Sequence, residues 1–333
     1  MHKVGINGFG RIGRIALRII MEKYADEIEV PMINTSGSMK TEGWAHIFEF
    51  DTMYRRFPGT VEVDGDYIVV NGKRIKVTAE RDPGNIPWGD EGVETVIEST
   101  GVFEDEEGMR KHLRDSVKRV ILSAPAKGEG IQTVVLGIND SEAQGKELLS
   151  NASCTTNCVS PVTKVILDKF GIKKGAMTTI HAYTSDQSLH DGSHKKDLRR
   201  ARAASQNVIP TTTGAAKATA LVIPEMKGIF DGIAVRVPVT TASLTDFTFL
   251  VEKSTTVKEV NQALTEASES ESLGHYLYVT SKPIVSSDVI GCEASSLVDL
   301  SLTQVIADDL VKVYAWYDNE WGYTCRLVEQ ILK

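Results

Sequence analysis

The residue types best suited to covalent chemistry stand together at Ser153-Cys154-Thr155-Thr156-Asn157-Cys158. Cys158, Val162, Val165 and Ile166 follow at helical spacing, which puts Cys154 in the first turn of an amphipathic helix. A helix N-terminus favours thiolate over thiol, so the position predicts a lowered pKa and a nucleophile at Cys154. Cys158 points to the apolar face and reads as a packing residue. A metal held by Cys154 and Cys158 would need two further ligands, and none stands nearby at convincing spacing. The partner for the thiol is His181, at the end of a strand over 176–180, because a low-pKa cysteine is ordinarily activated by an imidazole. A lone histidine at a strand end is more often structural. Its distance from Cys154 is not readable from sequence.

A second constellation is Gly8, Gly10 and Gly13, a G-x-G-x-x-G pattern between a strand (3–7) and a helical stripe of Ile12, Ile15, Ala16, Ile19 and Ile20. One glycine permits the tight turn, the next lets backbone approach a pyrophosphate, and the third lets helix pack on strand. The helix N-terminus adds free N–H groups and positive potential for the anion. A glycine-rich turn without a ligand is the competing reading. About 20 residues further on, an NAD site carries a carboxylate for the ribose 2′-hydroxyl; here Asn34, Thr35 and Ser36 supply none. At roughly 4 Å such a carboxylate would repel a 2′-phosphate by about 1 to 4 kcal/mol per charge pair. Its absence removes that barrier and leaves hydroxyls able to donate, so NADP as well as NAD is expected.

These residues need a frame. Strand and helix alternate through the first half, with strands at 28–34, 67–70, 73–77, 95–98, 119–122 and 133–137 and helical or turn-rich stretches between them, for example 106–115. That alternation predicts an α/β, Rossmann-type dinucleotide-binding domain. After Asn151 long strands dominate, at 176–182, 232–237, 244–251 and 311–317, with helices at 213–222 and 257–269. This predicts an α+β catalytic domain with a mainly antiparallel sheet, the boundary falling near Ser153.

The bulk numbers agree. A chain of 333 residues, 41% hydrophobic and 25% charged, has room for two globular domains. Its net charge of −8 offers no excess of cations to neutralise nucleic-acid phosphates. No apolar run reaches the length of a membrane span, and Met1-His2-Lys3-Val4-Gly5 leads into a strand rather than a signal peptide. Four cysteines make no disulfide framework in a chain this long, so a cytoplasmic protein with free thiols is expected.

Taken in order, these segments resemble the glyceraldehyde-3-phosphate dehydrogenase family along essentially the whole chain. The resemblance is carried by Asn7 to Arg14, by the Ala152-Ser153-Cys154-Thr155-Thr156-Asn157-Cys158 block, by His181-Ala182-Tyr183-Thr184 and by Trp316-Tyr317-Asp318-Asn319-Glu320. Leu198-Arg199-Arg200-Ala201-Arg202 and Pro210 to Lys217 add to it. It implies that Cys154 attacks an aldehyde carbon, that His181 moves protons and stabilises the oxyanion, and that inorganic phosphate cleaves the resulting thioester. Thr184, Asp186 and Arg236 would hold the phosphate of glyceraldehyde 3-phosphate. Ser153, Thr155, Thr213, Gly214 and Arg199 would hold the attacking phosphate, with Arg200 and Arg202 on a solvated basic face. The dinucleotide would meet Gly8, Gly10, Arg11, Ile12, Gly13, Asn34, Thr35, Ser36, Arg81, Ser99, Thr100, Gly101, Ser123, Asn319 and Tyr323.

The resemblance further implies a C-terminal helix packed back on the first domain. Residues 1–153 and 317–333 would then form the dinucleotide-binding domain and 154–316 the catalytic one. Family members are homotetramers in which the segment 184–209 reaches a neighbour's cofactor. Thr35 stands where NAD-specific members carry an Asp, and Gly192-Ser193 where they often carry Leu-Pro. Hydroxyls near Ser36 and Ser193 resemble the NADP-using members. Two other readings stay open: an erythrose-4-phosphate dehydrogenase-like enzyme with water as acyl acceptor, and a redox sensor that uses Cys154 as a switch.

Overall fold

The computed structural model describes residues 1–194 and 197–333, and the chain divides into two units. One comprises Met1–Val134, Asn139–Ala152 and Thr324–Lys333; the other comprises Val135–Ile138 and Ser153–Tyr323.

The first unit contains β1 (His2–Asn7), α1 (Arg11–Lys23), β2 (Ile28–Asn34), α2 (Thr41–Glu49), β3 (Phe50–Asp51) and β4 (Arg55–Arg56). After them come β5 (Val61–Asp64), β6 (Tyr67–Val70), β7 (Lys73–Thr78), β8 (Thr95–Glu98), α3 (Glu106–Arg110), β9 (Arg119–Leu122), β10 (Gln132–Thr133) and β11 (Leu148–Ser150). Nine strands form one sheet in the order β10-β11-β9-β8-β1-β2-β7-β6-β5. It is parallel from β10 to β7 and ends in an antiparallel meander. The chain leaves β1 towards β2 and returns on its other side at β8, a topological switch that opens a crevice at the C-terminal strand ends. Every residue of β8 is buried, as expected of a strand covered on both faces. The stripe of α1 buries Ile15, Ala16, Ile19 and Ile20, each aliphatic chain contributing about 1.5–3 kcal/mol.

Two glycines of the first loop are required by close approach. Gly8 sits at φ +94°, and a Cβ there would lie 2.7 Å from the Ser99 carbonyl carbon. A Cβ on Gly13 would meet the Gly8 carbonyl oxygen at 2.1 Å, so only glycine lets α1 seat against the turn.

The stretch 106–115 is part helix and part turn: α3 stops at Arg110, the His112 N–H turns back to Met109 O and Asp115 takes φ +53°. One expected element is shorter than the sequence suggests. The strand over 133–137 ends at Thr133, because Ile138 N–H closes a turn on Val135 O and Gly137 adopts φ +87°.

In the second unit α4 (Cys154–Phe170) leads into β12 (Ile172–Ala182), β13 (Ile209–Thr212), α5 (Ala215–Val222), β14 (Phe230–Val237) and β15 (Ser243–Val251). Then come α6 (Val257–Ser268), β16 (Leu277–Thr280), β17 (Ser296–Asp299), β18 (Gln304–Ile306) and β19 (Leu310–Tyr317). The sheet runs β13-β14-β12-β15-β19-β17-β16, with β18 beside β19. It is mixed: β12–β14 and β16–β17 are parallel and the other pairs antiparallel. Helix α4 packs against β12, β15, β17 and β19, bringing its first turn to the end of the sheet where β12 finishes. The last helix, α7 (Trp321–Glu329), continues into Gln330, whose amide donates to Asn151 Oδ1 at 2.9 Å and Val134 O at 3.1 Å within the first unit. No helix of the described residues is long and apolar enough to cross a membrane.

Candidate active site

Ser153 caps α4: its Oγ accepts the Thr156 N–H at 3.0 Å, which leaves Cys154 as the first helical residue. On β12 the alternation of side chains puts Thr179 and His181 on one face. Both meet Tyr317 of β19, Thr179 through a 2.8 Å hydroxyl contact and His181 edge-on with ring centroids 5.9 Å apart. Tyr317 Oη also contacts Thr155 Oγ1 at 3.0 Å. The floor so made brings His181 Nε2 to 3.4 Å from Cys154 Sγ. His181 Nδ1 lies 2.7 Å from the Ala182 carbonyl, an acceptor only, so Nδ1 carries the proton and Nε2 presents its lone pair to the thiol. That is the tautomer a base for Cys154 must adopt.

Electrostatics differ from the sequence expectation. Burial pushes the Cys154 thiol up, against the Thr155 contact and the positive Arg236, which act to lower it. The helix N-terminus helps the thiolate without overcoming desolvation. Burial, reinforced by Arg236 and opposed by the Ala182 carbonyl, takes His181 down to about 4. Both shifts favour the uncharged forms, and Nε2 stands in place to take the thiol proton as the sulfur attacks. Cys158 is fully buried and pushed up to about 12, chiefly by burial.

Beside the pair lies an anion cluster. Arg236 NH1 donates to Thr184 Oγ1, to Gln187 Oε1 at 3.1 Å and to Asp186 Oδ1 at 3.4 Å. Its Nε is buried without a partner among the described residues. Burial works to raise the Asp186 carboxyl, but Thr184, Arg236 and Arg200 together hold it low. Thr213 Oγ1 accepts the Ala215 N–H at 3.2 Å, and Gly214 caps α5.

The arginine expected here was Arg199, and the structure corrects it. Arg200 donates to Thr211 Oγ1 at 2.8 Å, Asp186 Oδ2 at 3.0 Å and Thr212 O at 3.2 Å. The exposed Arg199 engages Asp197 through its backbone N–H, and its guanidinium has no partner among the described residues. Neighbours in the turn over 198–202 point in different directions, so only one can enter the cluster. Arg200→Ala is expected to raise the KM for phosphate about ten-fold or more, since bonds to charged groups are worth about 1.5–3 kcal/mol. Arg199→Ala should leave it within about two-fold. Steady-state kinetics over phosphate concentration checks both, and equal effects would restore Arg199.

In the first unit a cavity of about 500 Å³ opens beyond the C-terminal ends of β1, β2, β7 and β8. Of the expected residues it is lined by Gly8, Gly10, Asn34, Thr35, Ser36, Arg81, Ser99 and Thr100; Arg11, Ile12, Gly13, Gly101 and Ser123 lie off its wall. The Arg11 guanidinium pairs with Asp51 at the start of α1. A Cβ on Gly10 would meet no protein atom within 4 Å, so what the missing side chain makes room for is not the chain itself. Ser123 Oγ is buried with no partner among the described residues. These features fit a dinucleotide whose pyrophosphate rests on the α1 N-terminus.

At the ribose end the sequence reading needs a second correction. Thr35 is 4% exposed and its hydroxyl donates to Thr78 O at 3.0 Å, so that proton is not available to a phosphate. Ser36 Oγ is exposed, 2.9 Å from Ser38 Oγ. An acidic residue does line the cavity, but it is Glu80, beside Arg81. Glu80, Phe9, Trp44, Val102 and Phe103 escaped the sequence reading. Glu80 was within reach of it: β7 pairs with β2, and ligands gather just past parallel strand ends.

In the second unit Asn319 is aligned by a residue the sequence did not flag. Ala182 N–H donates to Ser243 Oγ at 3.1 Å, and Ser243 donates to Asn319 Oδ1 at 2.9 Å, leaving the amide NH2 to donate elsewhere. Tyr323 is buried in α7, and Ser193 is exposed. Within the segment 184–209, Lys195 and Lys196 lie outside the described residues. Among the described residues no group of His, Cys, Asp and Glu could hold a metal.

A thiol facing an imidazole that can take its proton is built to attack a carbonyl carbon. A chain that also builds a dinucleotide-binding sheet stands with the dehydrogenases that work through a covalent cysteine adduct. Similarity to known proteins narrows that class, and the chain belongs to the glyceraldehyde-3-phosphate dehydrogenase family. Residues 2–106 match the family's NAD binding domain, and residues 153–319 match its C-terminal domain. Glyceraldehyde-3-phosphate dehydrogenase 2 of Streptomyces avermitilis is 51% identical over 329 residues, covering 98% of this chain and 96% of that one. Glyceraldehyde-3-phosphate dehydrogenase 1 of Bacillus cereus is 51% identical over 331 residues, 99% and 97% of the two chains. Glyceraldehyde-3-phosphate dehydrogenase 2 of a Synechocystis species is 49% identical over 331 residues, again 99% and 97%.

Proposed function

We propose that this chain oxidises glyceraldehyde 3-phosphate with inorganic phosphate to 1,3-bisphosphoglycerate, reversibly, with Cys154 as nucleophile and His181 as its base. It is a nicotinamide-dependent oxidoreductase of a family that serves glycolysis and gluconeogenesis. The observation that carries the residue assignment is the 3.4 Å contact between Sγ and an unprotonated Nε2. His181 takes the thiol proton as sulfur attacks the aldehyde carbon, and the imidazolium so formed steadies the tetrahedral oxyanion. A nicotinamide dinucleotide, held along Gly8, Gly10, Asn34, Ser99 and Thr100, would supply the hydride acceptor. The thioester left on Cys154 is then cleaved by phosphate held by Ser153, Thr155, Thr213, Gly214 and Arg200, while Thr184, Asp186 and Arg236 hold the substrate's own phosphate.

Residues 1–153 and 317–333 serve the dinucleotide in this reading, and 154–316 the chemistry. The protein works in the cytoplasm as a homotetramer, with Ser193 presented to a neighbour's cofactor. NAD is the cofactor its family supports. Use of NADP as well rests on the absence of a carboxylate at Thr35, with Ser36 and Arg81 as donors and Glu80 acting against them.

Initial rates with glyceraldehyde 3-phosphate, crossing NAD with NADP and phosphate with none, test this. Phosphate-dependent reduction supports the reading, and rates independent of phosphate would point to the hydrolytic relative. In the same assay Thr35→Asp should shift the cofactor ratio towards NAD by about ten-fold, the effect of one added charge at about 1 to 4 kcal/mol. An unchanged ratio would place the determinant elsewhere.

A further inference from the structure

Behind the dinucleotide cavity runs a buried polar chain that the proposed chemistry does not use. Trp88, Glu98 and His112 are each 0% exposed, and none lines the cavity. The Trp88 indole N–H donates to His112 Nδ1 at 3.1 Å. Indole can only donate, so Nδ1 must accept, and the ring's proton sits on Nε2 and is given to Glu98 Oε2 at 3.2 Å. The same Oε2 accepts Asn7 Nδ2 at 2.5 Å, and Oε1 accepts the Thr100 N–H at 2.8 Å and the Thr100 hydroxyl. Asn7, so oriented, offers Oδ1 to Asn34 Nδ2 at 2.8 Å. Asn34 Oδ1 then receives the Thr78 hydroxyl at 2.9 Å and the Glu80 N–H at 2.8 Å.

A carboxylate buried without partners would cost several kcal/mol; this one is met by four donors. Two arms of donors converge on it, one from Trp88 through His112 and the other from Thr78 and the Glu80 N–H through Asn34 and Asn7, so every donor in both arms points towards Glu98. The chain of bonds crosses the C-terminal ends of β8, β1, β2 and β7 and orients four residues that do line the cavity: Asn7, Asn34, Glu80 and Thr100.

We propose that Glu98 and His112 are positioning residues for the dinucleotide, with the Glu98 carboxylate, as the common acceptor of both arms, fixing the edge on which the cofactor lies. The proposal rests on the reading of the cavity as the dinucleotide site. Glu98→Gln keeps size and shape, but its NH2 must face either the Thr100 donors or those of Asn7 and His112. Donor then meets donor whichever way the amide turns. Trp88→Phe removes only the N–H that holds His112 in the tautomer that donates to Glu98, at a residue that does not line the cavity.

Titration calorimetry of NAD onto the full-length protein, with steady-state kinetics, reads the effect. Glu98→Gln is expected to weaken NAD binding about ten-fold or more and to raise its KM alike. The kcat at saturating NAD should stay within about two-fold, as should cofactor-free alkylation of Cys154. Trp88→Phe should weaken NAD binding by about three-fold or more. A merely structural role would instead lower the active fraction, and so kcat, leaving the affinity of the folded molecules unchanged. Folded variants that bind NAD with parent affinity overturn the positioning role alone. If Glu98→Gln fails to fold, Trp88→Phe decides by the same criterion. A parent protein that binds no NAD overturns the dinucleotide reading and the positioning role with it.

Discussion

Cys154→Ser is expected to lower turnover about 10⁴-fold or more while leaving dinucleotide affinity within about two-fold. The serine oxygen would occupy nearly the same place at the head of α4, still 27 residues from His181 in sequence and next to it in space. What changes is the acid. Burial already pushes the thiol up, and a hydroxyl starts several units higher still, beyond what a neutral imidazole can deprotonate at an appreciable rate. The cavity in the first unit includes no atom of Cys154, so binding there has no reason to respond. Rapid-mixing absorbance of reduced cofactor, with a separate binding titration, measures both quantities. Residual turnover near the parent rate would remove Cys154 from the chemistry.

His181→Asn is expected to slow acylation by about 10² to 10⁴-fold, the range for loss of a positioned base. The alkylation profile of Cys154 should move to higher pH, because the acceptor 3.4 Å from the thiol is gone. The same variant has a signature in stability. His181 is buried neutral, with its pKa taken from 6.5 to about 4. Between those values the unfolded chain binds a proton that the folded one does not. The stability due to neutral burial is therefore complete above the unfolded pKa and falls as pH drops through the window. A shift of this size amounts to about 3 kcal/mol by the lower end. Denaturant melts from neutral to acid pH should show a flatter slope for His181→Asn than for the parent. Identical slopes and an unmoved alkylation profile would mean that His181 is neither the buried neutral group nor the partner of Cys154.

The first unit was legible wherever a short apolar run ends in glycine or polar residues. Ile28–Asn34, Tyr67–Val70, Thr95–Glu98 and Arg119–Leu122 have the same bounds in the structure as in the sequence reading. Ile28–Asn34, Thr95–Glu98 and Arg119–Leu122 are buried almost throughout, and Tyr67–Val70 alternates, so each carries its own pattern and needs no partner to be recognised. The helix head at Cys154 was legible for a similar reason, because Ser153 is a capping residue placed just before an apolar stripe.

What stayed hidden depends on contacts far apart in sequence. Thr35 looked like a free donor because Thr78, which takes its proton, lies 43 residues away on a strand whose pairing was not known. Glu80 escaped for the same reason. Arg199 and Arg200 are chemically identical, and only the turn that holds them decides which guanidinium reaches Asp186. The pKa of Cys154 was read from the helix terminus alone, whereas burial is set by everything packed around it. The short strands Leu277–Thr280, Ser296–Asp299 and Gln304–Ile306 owe their structure to neighbours in the sheet rather than to a marked pattern of their own.

The most direct test of a phosphate-cleaved thioester on Cys154 is a single-turnover experiment with glyceraldehyde 3-phosphate and NAD, first without phosphate and then with it. The expected result is a burst of about one reduced cofactor per active site, an acyl group on Cys154 in the intact mass, and turnover only once phosphate is added. Sustained turnover without phosphate, or a burst with no adduct on Cys154, would contradict it.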